Sequence, residues 1–201
     1  MAKPLPAESL DQLFRTARSY NGYLDKPVHE DQLRAIWDLV KMGPTSANFL
    51  PLRIIWCVSD EAKLKLSRVA KGNNGQKILQ APVTAILAMD LKFYDQSARL
   101  FPIVDLRSWF VNAKEEVNEA YAYSTAFRNS TLQGAYFIMA ARAIGLDTGP
   151  MSGFDHDGVD QVFLAGTSYT SNFLCTLGYG DPATIFERMP RPSFEDFTTI
   201  T

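Results

Sequence analysis

The chain has 201 residues, of which 46% are hydrophobic and 21% charged, so it is long enough to form a sizeable core. A formal net charge of -2 argues against nucleic acid or an anionic membrane surface as a main partner. The sequence has no signal-peptide core and no apolar run of about 20 residues, so we expect a cytoplasmic protein without a membrane span.

Two helices and a polar loop are predicted in the first quarter of the chain. Residues 8–18 and 30–42 carry apolar side chains at helical spacing, with a turn predicted at Asn21-Gly22. Residues 43–51, Gly-Pro-Thr-Ser-Ala-Asn-Phe-Leu-Pro, follow the second helix. Alone, this stretch is typical of an ordinary helix-to-strand loop, but its amide, hydroxyl and backbone groups also suit the edge of a planar, heteroatom-rich ring.

The middle of the chain alternates strands and helices. Strands are predicted over residues 53–58 and 81–89, the second being the most apolar short run and therefore buried. Between them we predict a helix over 60–70 and a helical turn over 76–80. Residues 91–118 are irregular and aromatic, which we interpret as an excursion or lid rather than core.

The C-terminal half begins with the longest helical pattern, over residues 119–144, ending at Gly145. A short helix over 156–164, a strand over 173–179 and a Pro-rich tail follow. This order predicts one α+β domain over residues 1–201, with a small mixed sheet surrounded by helices.

The sequence lacks the catalytic motifs and metal-ligand patterns of the common enzyme classes. The two histidines, His29 and His156, are far apart, and Cys57 and Cys175 lie in apolar runs typical of buried thiols. There is no Gly-x-Ser-x-Gly elbow, Walker loop or Gly-x-Gly-x-x-Gly fingerprint. If the protein is an enzyme, a bound organic cofactor therefore carries its chemistry.

Four separated segments carry the residue types that would bind the parts of a flavin mononucleotide (FMN). Arginine side chains suit its phosphate, short polar side chains suit its ribityl hydroxyls and pyrimidine edge, and a glycine lets a backbone donor approach its N5. The segments are residues 18–21 (Arg-Ser-Tyr-Asn), 44–51, 149–155 (Gly-Pro-Met-Ser-Gly-Phe-Asp) and 188–191 (Arg-Met-Pro-Arg).

In this order and spacing the segments resemble the FMN-dependent nitroreductase family. Its members have an Arg-Ser-x-Arg/Lys-like start, a Pro-Ser-x-x-Asn-x-Gln-Pro-like loop, a small-residue turn after the central helix and a basic pair in the tail. The resemblance is nearest to the branch that contains the malonic semialdehyde reductase of the pyrimidine-utilisation (Rut) pathway. Its most specific stretch is residues 145–155, and further matches are 43–48, 81–86, 105–110, 125–130 and 178–181.

The resemblance implies the following contacts to FMN: Arg18, Ser19, Asn21, Pro44, Thr45, Ser46, Asn48, Pro150, Met151, Ser152, Gly153, Arg188 and Arg191. Asn21 stands where many relatives have a second cation, so either Asn21 or Arg15 completes the phosphate clamp. Leu50 replaces a frequent glutamine, and Ser152 replaces an acidic residue.

The resemblance also implies an interwoven homodimer with FMN at the interface, without a metal or a catalytic side chain. Hydride passes in ping-pong fashion from NADH or NADPH through the flavin to a small-molecule acceptor. The acceptor is expected to be malonic semialdehyde, giving 3-hydroxypropionate. The alternatives are a broad nitroaromatic or quinone reductase, and a flavin-binding protein without useful turnover. Arg107 is the candidate for the substrate carboxylate, and a structural salt bridge is its alternative role.

Overall fold

The computed structural model describes residues 3–201. Its helices, in chain order α1 to α8, are Ala7–Leu10, Glu30–Val40, Asp60–Arg68, Asn74–Gln80, Ser97–Leu100, Glu119–Ala143, His156–Val159 and Phe194–Phe197. Single π-helical turns, Asp11–Arg15 and Asp160–Leu164, continue α1 and α7. Strands β1 to β4 are Leu52–Cys57, Val83–Asp90, Asp147–Met151 and Tyr169–Gly178. The predicted helices and strands are present, although β4 begins four residues earlier than predicted.

The four strands form one sheet in the order β1-β2-β4-β3, and every neighbouring pair is antiparallel. The prediction of a mixed sheet was wrong, because each of the three neighbouring strand pairs runs antiparallel. Within residues 3–201 the parallel pairing is confined to an isolated bridge between Ser19 and Thr148. The strands β1 and β3 are the two edges of the sheet.

Helices cover both faces of the sheet, which confirms the α+β class. Alternate strand residues such as Ala85 and Leu87 pack on α2 and α6, whereas Ile86 and Leu174 pack on α3, α4 and α7. All residues of β2 are buried, as its apolar sequence predicts. Cys57 and Cys175 are buried free thiols, and burial raises the pKa of each thiol to about 12.

The interpretation of residues 91–118 as a lid rather than core was wrong. Phe93, Tyr94 and Phe110 are almost fully buried and form a separate hydrophobic cluster around Phe49. The rings of Phe93 and Phe110 meet edge to face, with centroids 5.0 Å apart and an interplanar angle of 80°. This segment therefore stabilises the loop that contains Phe49.

The long helix α6 is apolar on more than one side. Its residue Phe137 is buried against the sheet, whereas Phe127 and Tyr136 are 45% and 42% exposed. Among residues 3–201, no helix is long and apolar enough to cross a membrane.

Candidate functional site

A cleft of about 350 Å³ lies between the N-terminal segment, the end of α6 and the C-terminal tail. We call it the arginine cleft, since four guanidinium groups line it together with Ser19 and Glu187; they belong to Arg18, Arg142, Arg188 and Arg191. Three of these arginines and Ser19 were predicted from the sequence. The structure therefore brings together cations from positions 18 and 191, at opposite ends of the chain.

Two of the arginines also fasten the two chain ends to each other. Arg18 Nη2 donates to the carbonyl of Phe186 in the tail, and Arg188 Nη2 donates to the carbonyl of Ala17 at 2.8 Å. Each guanidinium keeps further N–H groups for a ligand, because it has five donors. Arg191 bonds to carbonyls of its own segment, at 2.9 Å for Met189 and 3.1 Å for Pro190.

Neither candidate for completing the clamp lines this cleft. Asn21 Nδ2 donates to the Thr184 carbonyl at 3.0 Å, so its side chain holds the start of the tail. Arg15 is 2.7 Å from Asp11 in an i,i+4 salt bridge and donates to the Ala7 carbonyl.

Of the turn predicted over residues 149–155, the first three residues belong to β3, which extends to Met151; the turn itself, residues 152–155, is linked to the cleft through that strand and the Ser19–Thr148 bridge. A Cβ on Gly153 would lie 2.7 Å from Asn74 Nδ2, which donates to the Gly153 carbonyl at 2.9 Å. A side chain at this position would therefore displace the Asn74 amide, which fixes the Gly153 backbone. Within residues 3–201 the N–H groups of Ser152 and Gly153 have no protein acceptor. They are thus available to a ligand.

The distance from the cleft to this turn suits one elongated ligand. From Thr148 to Ser152 is four residues, or about 13 Å of extended strand. A phosphate at one end and a planar ring at the other can bridge such a distance. Because the cleft offers guanidinium donors and the turn offers backbone N–H groups, these residues fit FMN.

The loop between α2 and β1, residues 43–51, has a strained backbone. Ala47, Asn48 and Leu50 have φ values of 46°, 54° and 44°, which residues with a side chain rarely adopt. Asn129 on α6 accepts a hydrogen bond from the Ser46 N–H at 2.8 Å, and Gln133 accepts from the Leu52 N–H at 2.9 Å. Two amide side chains of α6 thus fix both ends of the strained segment.

Two predicted side chains in this loop are engaged within the chain. Asn48 Nδ2 donates to the Leu100 carbonyl at 2.7 Å, and Thr45 Oγ1 accepts from the Leu50 N–H at 3.2 Å. Pro44 and Ser46 are exposed. Asn48 is exposed as well, although its amide is bonded, so three of the four predicted positions have surface open to a ligand or to another chain.

One chain does not bring this loop to the arginine cleft. The loop precedes β1, whereas the cleft and the turn 152–155 adjoin β3, at the opposite edge of the sheet. Three strand spacings of about 4.8 Å separate these edges by roughly 14 Å. Along α6, Asn129 and Arg142 are thirteen residues apart, or roughly 20 Å. The predicted site residues therefore form two half-sites.

Comparison with known proteins assigns the family. The family model described as "Nitroreductase family" matches residues 2–179. The chain belongs to the nitroreductase family. It is 52% identical over 200 residues, the full length of both chains, to a Stenotrophomonas maltophilia protein named "Putative NADH dehydrogenase/NAD(P)H nitroreductase". A Burkholderia lata protein of the same description is 52% identical and covers 98% of each chain.

Solved nitroreductase structures share the fold. A Bacillus subtilis nitroreductase superposes with a TM-score of 0.85 at 21% identity, covering 98% of this chain and all of that one. A nitroreductase from Exiguobacterium sibiricum, solved in complex with FMN, gives a TM-score of 0.80 at 21% identity with full coverage of both chains. The predicted family and nitroreductase-like fold are confirmed.

Arg107 is paired with acidic side chains of its own segment. Its Nε donates to Asp95 Oδ1 at 3.0 Å, and its Nη1 and Nη2 donate to Glu115 Oε1 and Oε2 at 3.2 and 2.6 Å. These bonds raise the pKa of the guanidinium, with the contribution of Glu115 the larger. The structure thus contains the salt bridge that was the alternative role, while two N–H donors of Arg107 stay unassigned.

Four further residues that line the cleft or fix the candidate loops were not among the contacts implied by the resemblance. Arg142 has the pattern of an ordinary cation in the last turn of a helix. Asn74 lies in a glycine-rich break, and Asn129 and Gln133 are polar residues within an apolar helix pattern. For Asn129 and Gln133, the signal in the sequence was an amide side chain within an apolar helical pattern. Such an amide is expected to be buried and therefore to need a hydrogen-bond partner. The positions are Asn74, Asn129, Gln133 and Arg142.

Proposed function

We propose that the protein is an FMN-dependent NAD(P)H oxidoreductase that binds the FMN phosphate in the arginine cleft. The observation that carries this proposal is the arginine cleft, whose residue Ser19 pairs with Thr148 of β3, the strand that leads to the free N–H groups of Ser152 and Gly153. The names of the relatives agree with it, since they include NAD(P)H nitroreductases and a nitroreductase solved with FMN.

In this proposal each part of the site holds one part of the cofactor. Arg18, Arg188 and Arg191 bind the phosphate, for which the planar guanidinium fork is well suited. Ser19 faces the ribityl chain, and the N–H groups of Ser152 and Gly153 donate to the polar edge of the ring. Bound in this way, FMN would supply the hydride chemistry between the nicotinamide and an acceptor. The chain supplies binding, orientation and backbone donors.

We further propose that the working form is an interwoven homodimer in which the two half-sites meet. Support comes from the placement of the 43–51 loop at the sheet edge opposite the cleft. Large apolar side chains without cover on α6 and α2 also support it, since such patches are typical of interfaces. They are Trp37, Leu39, Met42, Tyr123, Phe127, Leu132 and Tyr136. In the dimer, Pro44 and Ser46 of one copy would contact the ring held by the other.

The cofactor and the dimer are tested with one preparation. The purified protein is expected to be yellow, to bleach under anaerobic NADH or NADPH, and to sediment as a dimer. Arg191→Ala and Arg18→Ala are each expected to weaken FMN binding at least tenfold, because a charge-assisted bond contributes about 1.5–3 kcal/mol. Wild-type affinity in both variants would contradict the phosphate assignment, and a monomer saturated with FMN would contradict the shared site.

For the acceptor we propose malonic semialdehyde, reduced to 3-hydroxypropionate. The resemblance to the malonic semialdehyde reductase branch supports this choice, and the two unassigned N–H donors of Arg107 offer a contact for its carboxylate. Broad reduction of nitroaromatics or quinones is the second candidate, which the names of the relatives favour. Anaerobically reduced enzyme is mixed with malonic semialdehyde, a quinone and a nitroaromatic in parallel. Reoxidation by the aldehyde at a rate below that of both others would favour the second candidate.

A further inference from the structure

The arginine cleft holds more positive charge than its own acidic groups neutralise. Four guanidinium groups line it against one carboxylate, that of Glu187. In the part of the chain that the structure describes, none of the four arginines belongs to a salt bridge. Like charges in a concave site repel one another, so this arrangement favours the binding of an anion with more than one negative charge.

Arg142 is the one of these four that comes from the body of the fold. It lies in the last turn of α6, half-buried, and its Nη1 donates to the Leu13 carbonyl at 3.0 Å. Its Nε is buried without a hydrogen-bond partner, and its Nη2 has no protein acceptor among residues 3–201. Burial is the main influence on the pKa of Arg142 and lowers it; Cys175 and Asp147 act to raise this pKa, and the charge of Arg188 lowers it further.

A purely structural role leaves these observations unexplained. A cation in the last turn is stabilised by the helix dipole, and the bond to Leu13 ties α6 to the N-terminal segment. Neither needs the side chain to lie beside three other arginines. A guanidinium with unpaired N–H groups is costly to bury, and an anion in the cleft would supply an acceptor for Nη2.

We infer that Arg142 is a fourth phosphate-binding residue of the cleft, in the role left open between Asn21 and Arg15. The inference rests on the proposed function, because it takes the phosphate monoester of FMN as the ligand. The 2′-phosphate of NADPH has the same chemistry, so the test must separate the two sources. With Arg142 the cleft binds the doubly charged phosphate from the N-terminal segment, the tail and the core helix at once.

The test compares FMN with riboflavin, which has the same ring and ribityl chain but no phosphate. Flavin-stripped wild type, Arg142→Gln and Arg142→Lys are titrated with each flavin, and FMN release from the holoproteins is followed by the recovery of flavin fluorescence. Arg34→Gln is the control, because Arg34 is an exposed α2 residue paired with Glu30 outside the cleft. Circular dichroism and sedimentation verify that each variant is folded.

We expect Arg142→Gln to weaken FMN binding at least tenfold and to leave riboflavin affinity within twofold of wild type. Arg142→Lys should fall between the two, since it keeps the charge but loses the fork. Equal losses for both flavins would assign Arg142 a structural role and overturn the inference. So would a changed Michaelis constant for NADPH, but not NADH, together with unchanged FMN affinity. If wild type itself does not distinguish FMN from riboflavin, the proposed function fails at this cleft instead.

Discussion

Asn129→Ala should change the conformation of the 43–51 loop while leaving the rest of the fold intact. Asn129 is 6% exposed, its Oδ1 accepts from the Ser46 N–H at 2.8 Å, and its Nδ2 donates within α6 to the Thr125 carbonyl at 2.8 Å. Alanine removes the acceptor and leaves the Ser46 N–H without its partner. The loop is then free to leave the strained conformation in which Ala47 and Asn48 have positive φ.

The size of the effect follows from two opposing contributions. An orphaned, partly buried N–H group costs about 1–3 kcal/mol. Alanine is a better helix former than asparagine by up to about 0.7 kcal/mol, so the net loss of unfolding free energy is roughly 0.5–2.5 kcal/mol. At 2–4 °C per kcal/mol for a chain of this length, the melting temperature should fall by about 1–10 °C.

Thermal unfolding at fixed protein concentration measures this loss, and FMN titration measures whether the loop's conformation matters for binding. The control is Asn172→Ala, whose amide bonds to the hydroxyls of Ser130 and Thr131. Both hydroxyls retain the Phe127 carbonyl as a partner, so a smaller loss is expected. An Asn129→Ala protein that melts and binds FMN like wild type would show that the loop holds its own shape.

Three other changes test single features of the site and the core. Gly153→Ala should weaken FMN binding severalfold with little change in melting temperature, because its Cβ would displace Asn74; flavin titration and thermal melts measure the two effects. Arg107→Leu should lower the rate with malonic semialdehyde far more than with an uncharged quinone, and equal losses would leave only the salt bridge as its role. Cys57 and Cys175, whose pKa values are about 12, should be roughly one part in ten thousand thiolate at pH 8. Ellman's reagent should therefore label both after unfolding and neither before; native labelling at pH 8 would contradict their burial.

The sequence predicted best the parts of the fold that depend on local patterns. The run 81–89 is apolar at every position except Thr84 because β2 is covered on both faces, so its burial could be read directly. Helices 30–42 and 60–70 repeat their apolar residues at helical spacing. The turn around Gly153 was found because small residues there permit a close backbone approach.

What failed depends on contacts between distant segments. Phe93 and Phe110 have no helical or strand period, since their packing partner, Phe49, lies in another loop. The exposure of Phe127 and Tyr136 could not be predicted, because α6 is apolar on several sides and its sequence does not mark which side meets the sheet. Arg142 was missed for the opposite reason: a helix-terminal cation has a sufficient local explanation, and its position in the cleft is set by tertiary structure.

The placement of the two half-sites at opposite edges of the sheet has a genetic consequence. In the proposed dimer, a copy with a damaged 43–51 loop and a copy with a damaged arginine cleft each carry one intact half. Two inactive alleles of these kinds, expressed together, would assemble one damaged site and one wholly intact site in every mixed dimer. Each mixed dimer would then have up to half the activity of a wild-type dimer. Two alleles with lesions in the same half would restore no activity. Selection on this protein would accordingly act on pairs of residues from different polypeptides.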